Sequence, residues 1–161
     1  MARQQAEAND VNAAVEYLLA RPESAIDKKR IAVVGYSFGG IVTTLAASRS
    51  TQYAAVVLQA PGALNWNRTD EMRKTLLEAA AKIRLPTFCA VAENDATTES
   101  ARELCAAANR NGARTALKIY RPFTSGQGRP GNPPGHNLFS RFGMNIWAKD
   151  LLAFLEDELR K

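Results

Sequence analysis

Two cysteines and one histidine are all that the 161 residues hold of thiol and imidazole side chains. Cys89 falls in an apolar run and Cys105 in a helical pattern, so both read as small buried hydrophobes, and their spacing fits no metal site. No apolar run approaches the ~20 residues needed to cross a bilayer. The opening residues 1–7 lack the apolar stretch of a secretory signal, which makes a cytoplasmic location the default expectation. Basic clusters are also scarce. The net charge is +5, but the one basic run, Lys28-Lys29-Arg30, stands in a predicted turn, so no nucleic-acid partner is expected. A content of 46% hydrophobic and 23% charged residues excludes a disordered chain. No internal repeat and no linker divide it, so residues 1–161 read as a single domain with no cofactor.

What is present alternates. Val11, Val15, Leu18 and Leu19 share one face of a predicted helix, and Pro22 lies just past its end. Ile31-Ala32-Val33-Val34-Gly35 is a short apolar run rich in β-branched residues, the mark of a strand covered on both faces. A small-residue helix follows from Gly39 to about Ser48. Ala54 to Leu58 is a second buried strand, closed by Pro61-Gly62. Thr69 to Ile83 is a helix with Met72, Leu76 and Ala80 on one face. Thr87 to Val91 is a third strand, Thr98 to Asn111 a helix stopped by Gly112, and Ala116 to Tyr120 a fourth strand. A Gly/Pro-rich loop from Ser125 to Gly135 leads to a last helix with Trp147, Leu151, Phe154 and Leu155 facing inward. Strands alternating with helices predict an α/β fold, a mostly parallel sheet of about four strands covered by helices on both faces.

Gly35-Tyr36-Ser37-Phe38-Gly39 fits G-x-S-x-G, directly after a predicted strand and at the opening of a predicted helix. A turn that sharp strains the serine backbone, so φ > 0 is expected at Ser37. Small neighbours are needed too: Gly35 and Gly39 would let strand and helix pass closely, with Gly40 extending that permission. The hydroxyl then stands clear at the C-terminal end of the sheet. The amide of Phe38, at the helix N-terminus, is the candidate oxyanion donor. A phosphate loop is the competing account, but the Lys-Ser/Thr pair of a Walker loop is absent and the dinucleotide spacing fails.

A serine hydroxyl needs a base within hydrogen-bond reach. The single histidine, His136, stands between the fourth strand and the last helix, at the sheet edge where such a base is required. The acid should follow the third strand, where Glu93 and Asp95 are both available. Asp95 is the better candidate because it lies deeper in the loop. The chain order Ser37, Asp95, His136 is that of the α/β-hydrolases. Trp66, Phe123 and Phe139 are candidates for lining a substrate pocket, with core packing as the equal alternative.

These motifs resemble the α/β-hydrolase superfamily and, more narrowly, its dienelactone-hydrolase-like branch. The likeness rests on Ile31 to Gly40, on Leu85-Pro86-Thr87 leading to Ala92-Glu93-Asn94-Asp95, and on Gly135-His136-Asn137-Leu138-Phe139. It implies a serine hydrolase cleaving small-molecule carboxylic esters through an acyl-enzyme. Dienelactone hydrolases usually carry cysteine where this chain has Ser37, which points to the serine esterases near them. The resemblance also implies three or four further strands before the helix at Val11, one of them followed by a loop that gives a second oxyanion donor. A weakly active or inactive folded fragment is therefore the alternative expectation. By the same implication the Ile31–Gly35 strand becomes a sheet edge, able to pair two copies of the chain as a homo-oligomer.

Overall fold

The apolar runs form strands where the periodicity places them. In the computed structural model, which describes residues 1–124 and 131–160, β1 (Ala32–Tyr36), β2 (Ala55–Gln59), β3 (Thr87–Ala92) and β4 (Thr115–Tyr120) make one all-parallel sheet in the order β1-β2-β3-β4. Every residue of β2 and β3 is buried, as a near-continuous apolar run demands when both faces of a strand are covered. The outer strands differ. Val33 of β1 is 8% exposed while its neighbour Val34 is 45% exposed, and Leu117 of β4 is 40% exposed.

Helices α1 (Ala2–Leu19), α2 (Phe38–Ala47), α3 (Asp70–Ala80), α4 (Glu99–Arg110) and α5 (Met144–Leu159) wrap this sheet. The register shows which face each covers. Gly35 faces α2, since a Cβ there would collide with Gly39 and Thr43, and side chains alternate along a strand. Val34 therefore points to the other face, in line with Val57 of β2 and Phe88 of β3. Phe88 stacks on Phe154 of α5 at 5.5 Å between ring centres. So α5 lies opposite the layer of α2, α3 and α4, which pack side by side with α1 against α2.

The predicted inner faces of α3 and α5 are found, with Met72, Leu76 and Ala80 buried and Trp147, Leu151, Phe154 and Leu155 packed partly buried against the core. The first helix departs from expectation. It starts at Ala2 rather than near Val11, because residues 2–8 are good helix formers without an apolar rhythm. Leu18 points outward at 43% exposure, and Ala8 is buried instead. Polar contacts help hold α1: Asn12 Nδ2 donates to the Ala46 carbonyl at 3.2 Å, and Asn12 Oδ1 accepts from the Tyr53 hydroxyl at 2.6 Å. No helix among the described residues is long and apolar enough to cross a membrane. Most of the loop expected over 125–135, residues 125–130, lies outside the described residues.

Candidate active site

The chain turns sharply from strand to helix after β1. Ser37 has φ 55° and ψ −113°, a region that L-residues with a side chain rarely adopt. The turn is fixed from β2 and its following loop: Ser37 N–H donates to the Gln59 carbonyl at 2.9 Å, and the Ser37 carbonyl accepts from Gly62 N–H at 3.2 Å. Two glycines are required by contact. A side chain at Gly35 would strike the Gly39 carbonyl and the Thr43 hydroxyl, and one at Gly40 would stand 2.8 Å from Pro61 Cα. Gly39 differs from expectation, because a Cβ added there would meet no atom within 4 Å. Its backbone is what Gly35 approaches; its missing side chain does nothing for the turn.

The sharp turn aims Ser37 at His136. Oγ lies 2.8 Å from Nε2 of the imidazole, and Nδ1 lies 2.9 and 3.0 Å from the two carboxylate oxygens of Asp95. The side chains of His136 and Asp95 are both buried. Asp95 also accepts from the Ala96 amide at 2.6 Å. The network assigns the tautomer: Nδ1–H donates to the carboxylate, leaving Nε2 free to accept the serine proton. Glu93, the other acid in this loop, is exposed. Of the two carboxylates the sequence offered, Asp95 is the one beside the imidazole.

His136 sits in a short 3-10 turn, Pro134–Phe139, held from two sides. On one side the loop carrying Asp95 is clasped to the chain beyond β4, as Asn94 Nδ2 donates to the Phe123 carbonyl and Asn94 Oδ1 accepts from Phe123 N–H, both at 2.9 Å. Gly135 packs so closely on Asn94 and Asp95 that any side chain there would collide with their backbone. On the other side the Tyr36 hydroxyl donates to the His136 carbonyl at 2.5 Å, and the two rings lie 5.2 Å apart. Sequence reasoning singled out neither Asn94 nor Tyr36. Their one signal was adjacency, each being the residue before a proposed catalytic one.

Phe38 opens α2, and the first amide of a helix has no intrahelical acceptor, which keeps its N–H a candidate oxyanion donor. The three aromatic pocket candidates are all core residues here. Trp66 is fully buried and Phe123 and Phe139 nearly so, Phe139 lying 6.0 Å from the Tyr36 ring and 6.3 Å from Trp147. Cys89 and Cys105 are buried free thiols; the hydrogen bond to Cys105 and the burial of Cys89 push the Cys89 thiol well above its usual range. Burial, followed by the hydrogen bond to Asp150, likewise raises the Tyr120 hydroxyl. Among the described residues, no group of three or more His, Cys, Asp or Glu is placed to hold a metal ion.

This architecture can be matched to known families. The family model of the prolyl oligopeptidase family matches residues 2–120. The chain belongs to that family. It thereby joins the α/β-hydrolase superfamily its motifs resemble, while the narrower likeness to dienelactone hydrolases rests on those motifs alone. No curated protein sequence matches. Similar solved structures include an esterase from Pyrococcus furiosus (17% identity, TM-score 0.66, 93% of this chain and 60% of that one). An acylaminoacyl peptidase from Pyrococcus horikoshii is 18% identical at TM-score 0.68, over 95% of this chain and 27% of its own. Dipeptidyl peptidase 4 from Porphyromonas gingivalis is 17% identical at TM-score 0.70, over 95% and 23%. At these identities the likeness is one of fold. This family member spans about six-tenths of the esterase and about a quarter of the peptidases.

Proposed function

We propose that this chain is a serine hydrolase that cleaves carboxylic esters through an acyl-enzyme, with Ser37 as nucleophile, His136 as base and Asp95 as orienting acid. The observation that carries the reading is the unbroken hydrogen-bonded chain from Ser37 Oγ through the imidazole to the Asp95 carboxylate. As Oγ attacks the ester carbonyl carbon, its proton passes to Nε2, and the carbonyl π electrons move onto oxygen. The Phe38 amide stabilises that oxyanion. The tetrahedral species collapses as the C–O bond to the alcohol breaks, and Nε2–H gives its proton to the departing oxygen. A water then attacks the acyl-enzyme, giving its proton to Nε2, which returns it to Oγ as the acid leaves. Throughout, Asp95 holds Nδ1–H and stabilises the imidazolium.

Hydrolysis of a p-nitrophenyl ester tests this directly. Turnover should fall to the uncatalysed background in Ser37→Ala, and equal turnover in wild type and variant would remove Ser37 from the chemistry. A second reading, peptide-bond cleavage, is favoured by the family match over residues 2–120. The triad does not choose the leaving group. Parallel assays on an acyl ester and the matching acyl anilide separate the two, and the ester reading expects the ester to be cleaved faster.

A further inference from the structure

We propose that Tyr36 is a positioning residue for the general base, and that its hydroxyl, rather than its ring alone, sets the Ser37–His136 alignment; this rests on the hydrolase reading above. Tyr36 ends β1 and precedes Ser37, so its Cα lies one peptide, about 3.8 Å, from that of the nucleophile. Its side chain points to the face that carries α5, where it meets the turn of residues 134–139. The hydroxyl donates to the main-chain carbonyl of His136 at 2.5 Å, and the ring lies 5.2 Å from the imidazole, tilted by 39°. Phe139 backs the tyrosine ring at 6.0 Å.

The geometry makes two bridges between the same two places on the chain, 100 residues apart in sequence. One is the reactive contact, Ser37 Oγ to Nε2 at 2.8 Å. The other, from Tyr36 to the carbonyl of the histidine itself, is chemically inert and bears on the backbone. Asn94, Gly135 and Asp95 fix the imidazole from the acid side. From the nucleophile side, the Tyr36 hydroxyl holds the main chain of His136 at a set distance from the residue joined to Ser37. Without it, the carbonyl loses a buried donor and the turn can slide along the acid loop. Nε2 then moves relative to Oγ, and a displacement of about 1 Å is enough to cost on the order of 10²-fold in rate.

Tyr36→Phe removes the hydroxyl and keeps the ring. With a p-nitrophenyl ester, kcat should fall about tenfold with KM within about twofold, the pattern of a group that acts on the transition state and not on binding. Labelling of Ser37 by a fluorophosphonate should slow by the same factor. Because His136 is the single histidine, its Nδ1–H resonance in proton–nitrogen NMR is unambiguous; it should broaden in the variant while the melting temperature stays within a few degrees of wild type. Wild-type kcat, labelling rate and resonance in Tyr36→Phe would overturn the positioning role and leave the hydrolase reading standing. Proportionate loss of kcat, KM and melting temperature would also overturn it, by making Tyr36 a packing residue only. A wild-type chain that takes no label at Ser37 would overturn both.

Discussion

Val34 and Ser37 are three residues apart, yet they stand in opposite surroundings. Ser37 is enclosed by contacts from β2, the loop after it, α2 and the His136 turn, whereas Val34 faces outward at 45% exposure on the edge strand of the sheet. The difference shows where the order of this molecule comes from. The Ser–His–Asp chain is assembled by the C-terminal ends of β1 and β3 and the turn before α5, all held by contacts within this chain. The outer side of β1 has no such closure, and even the inward residues of α5 remain half-buried. Site geometry and sheet closure are thus separable properties here, and each can be broken without the other.

The largest effect is expected at the site end. Asp95→Asn leaves the fold intact but puts an NH2 donor in place of the carboxylate oxygen facing Nδ1, since Ala96 N–H holds the other oxygen. That favours the wrong imidazole tautomer and removes the charge, so ester turnover should drop about 10⁴-fold, about 5.5 kcal/mol in the barrier. Glu93→Gln in the same loop should change it less than about twofold. Steady-state kinetics on the pair distinguish a site carboxylate from a surface one, and comparable losses would undo the assignment. Next in size is the packing of the elbow. Gly35→Ala pushes a methyl into Gly39 and Thr43 and should cost about 3 kcal/mol in chemical denaturation. Gly39→Ala meets nothing and, as a better helix residue, should change stability by less than about 1 kcal/mol, on the stabilising side. The smallest effect belongs to the edge. Pairing of two copies along β1 remains a proposal, and Val34 is the place to test it, because Val33 is buried in the core. Val34→Lys should alter folding stability by only about 0.5 kcal/mol while converting any oligomer seen by light scattering to monomer. A wild-type chain that is monomeric at micromolar concentration would end the idea.

Most of the sheet was legible because its signals are local. The runs at Val33, Val57 and Val91 are long enough and apolar enough to be strands, and Pro61-Gly62 and Gly112 punctuate them. Ser37 was legible for a similar reason, since strand, glycines and helix sit in ten consecutive residues. Asp95 over Glu93 was legible only through loop depth, a weaker cue that the geometry favours. What escaped depends on contacts the sequence does not display. The part of α1 before Val11 carries no apolar rhythm and is pinned instead by buried Ala8 and by Arg49, which donates to the Gln5 carbonyl and to Asn9 Oδ1. The clasp of Asn94 on Phe123 spans 29 residues and the Tyr36 bridge 100, distances at which no periodicity speaks. The role given to Gly39 failed because glycine spacing shows that small residues are present and not which of them is touched.

If the proposed triad works within this chain, Ser37 is an activated nucleophile. Incubation with a fluorophosphonate followed by intact-mass and peptide analysis reads that most directly. One phosphonyl group per chain, located on Ser37 and abolished in both Ser37→Ala and His136→Ala, is the expected result. A chain that stays unlabelled at full reagent excess, or whose label survives the loss of His136, would contradict it.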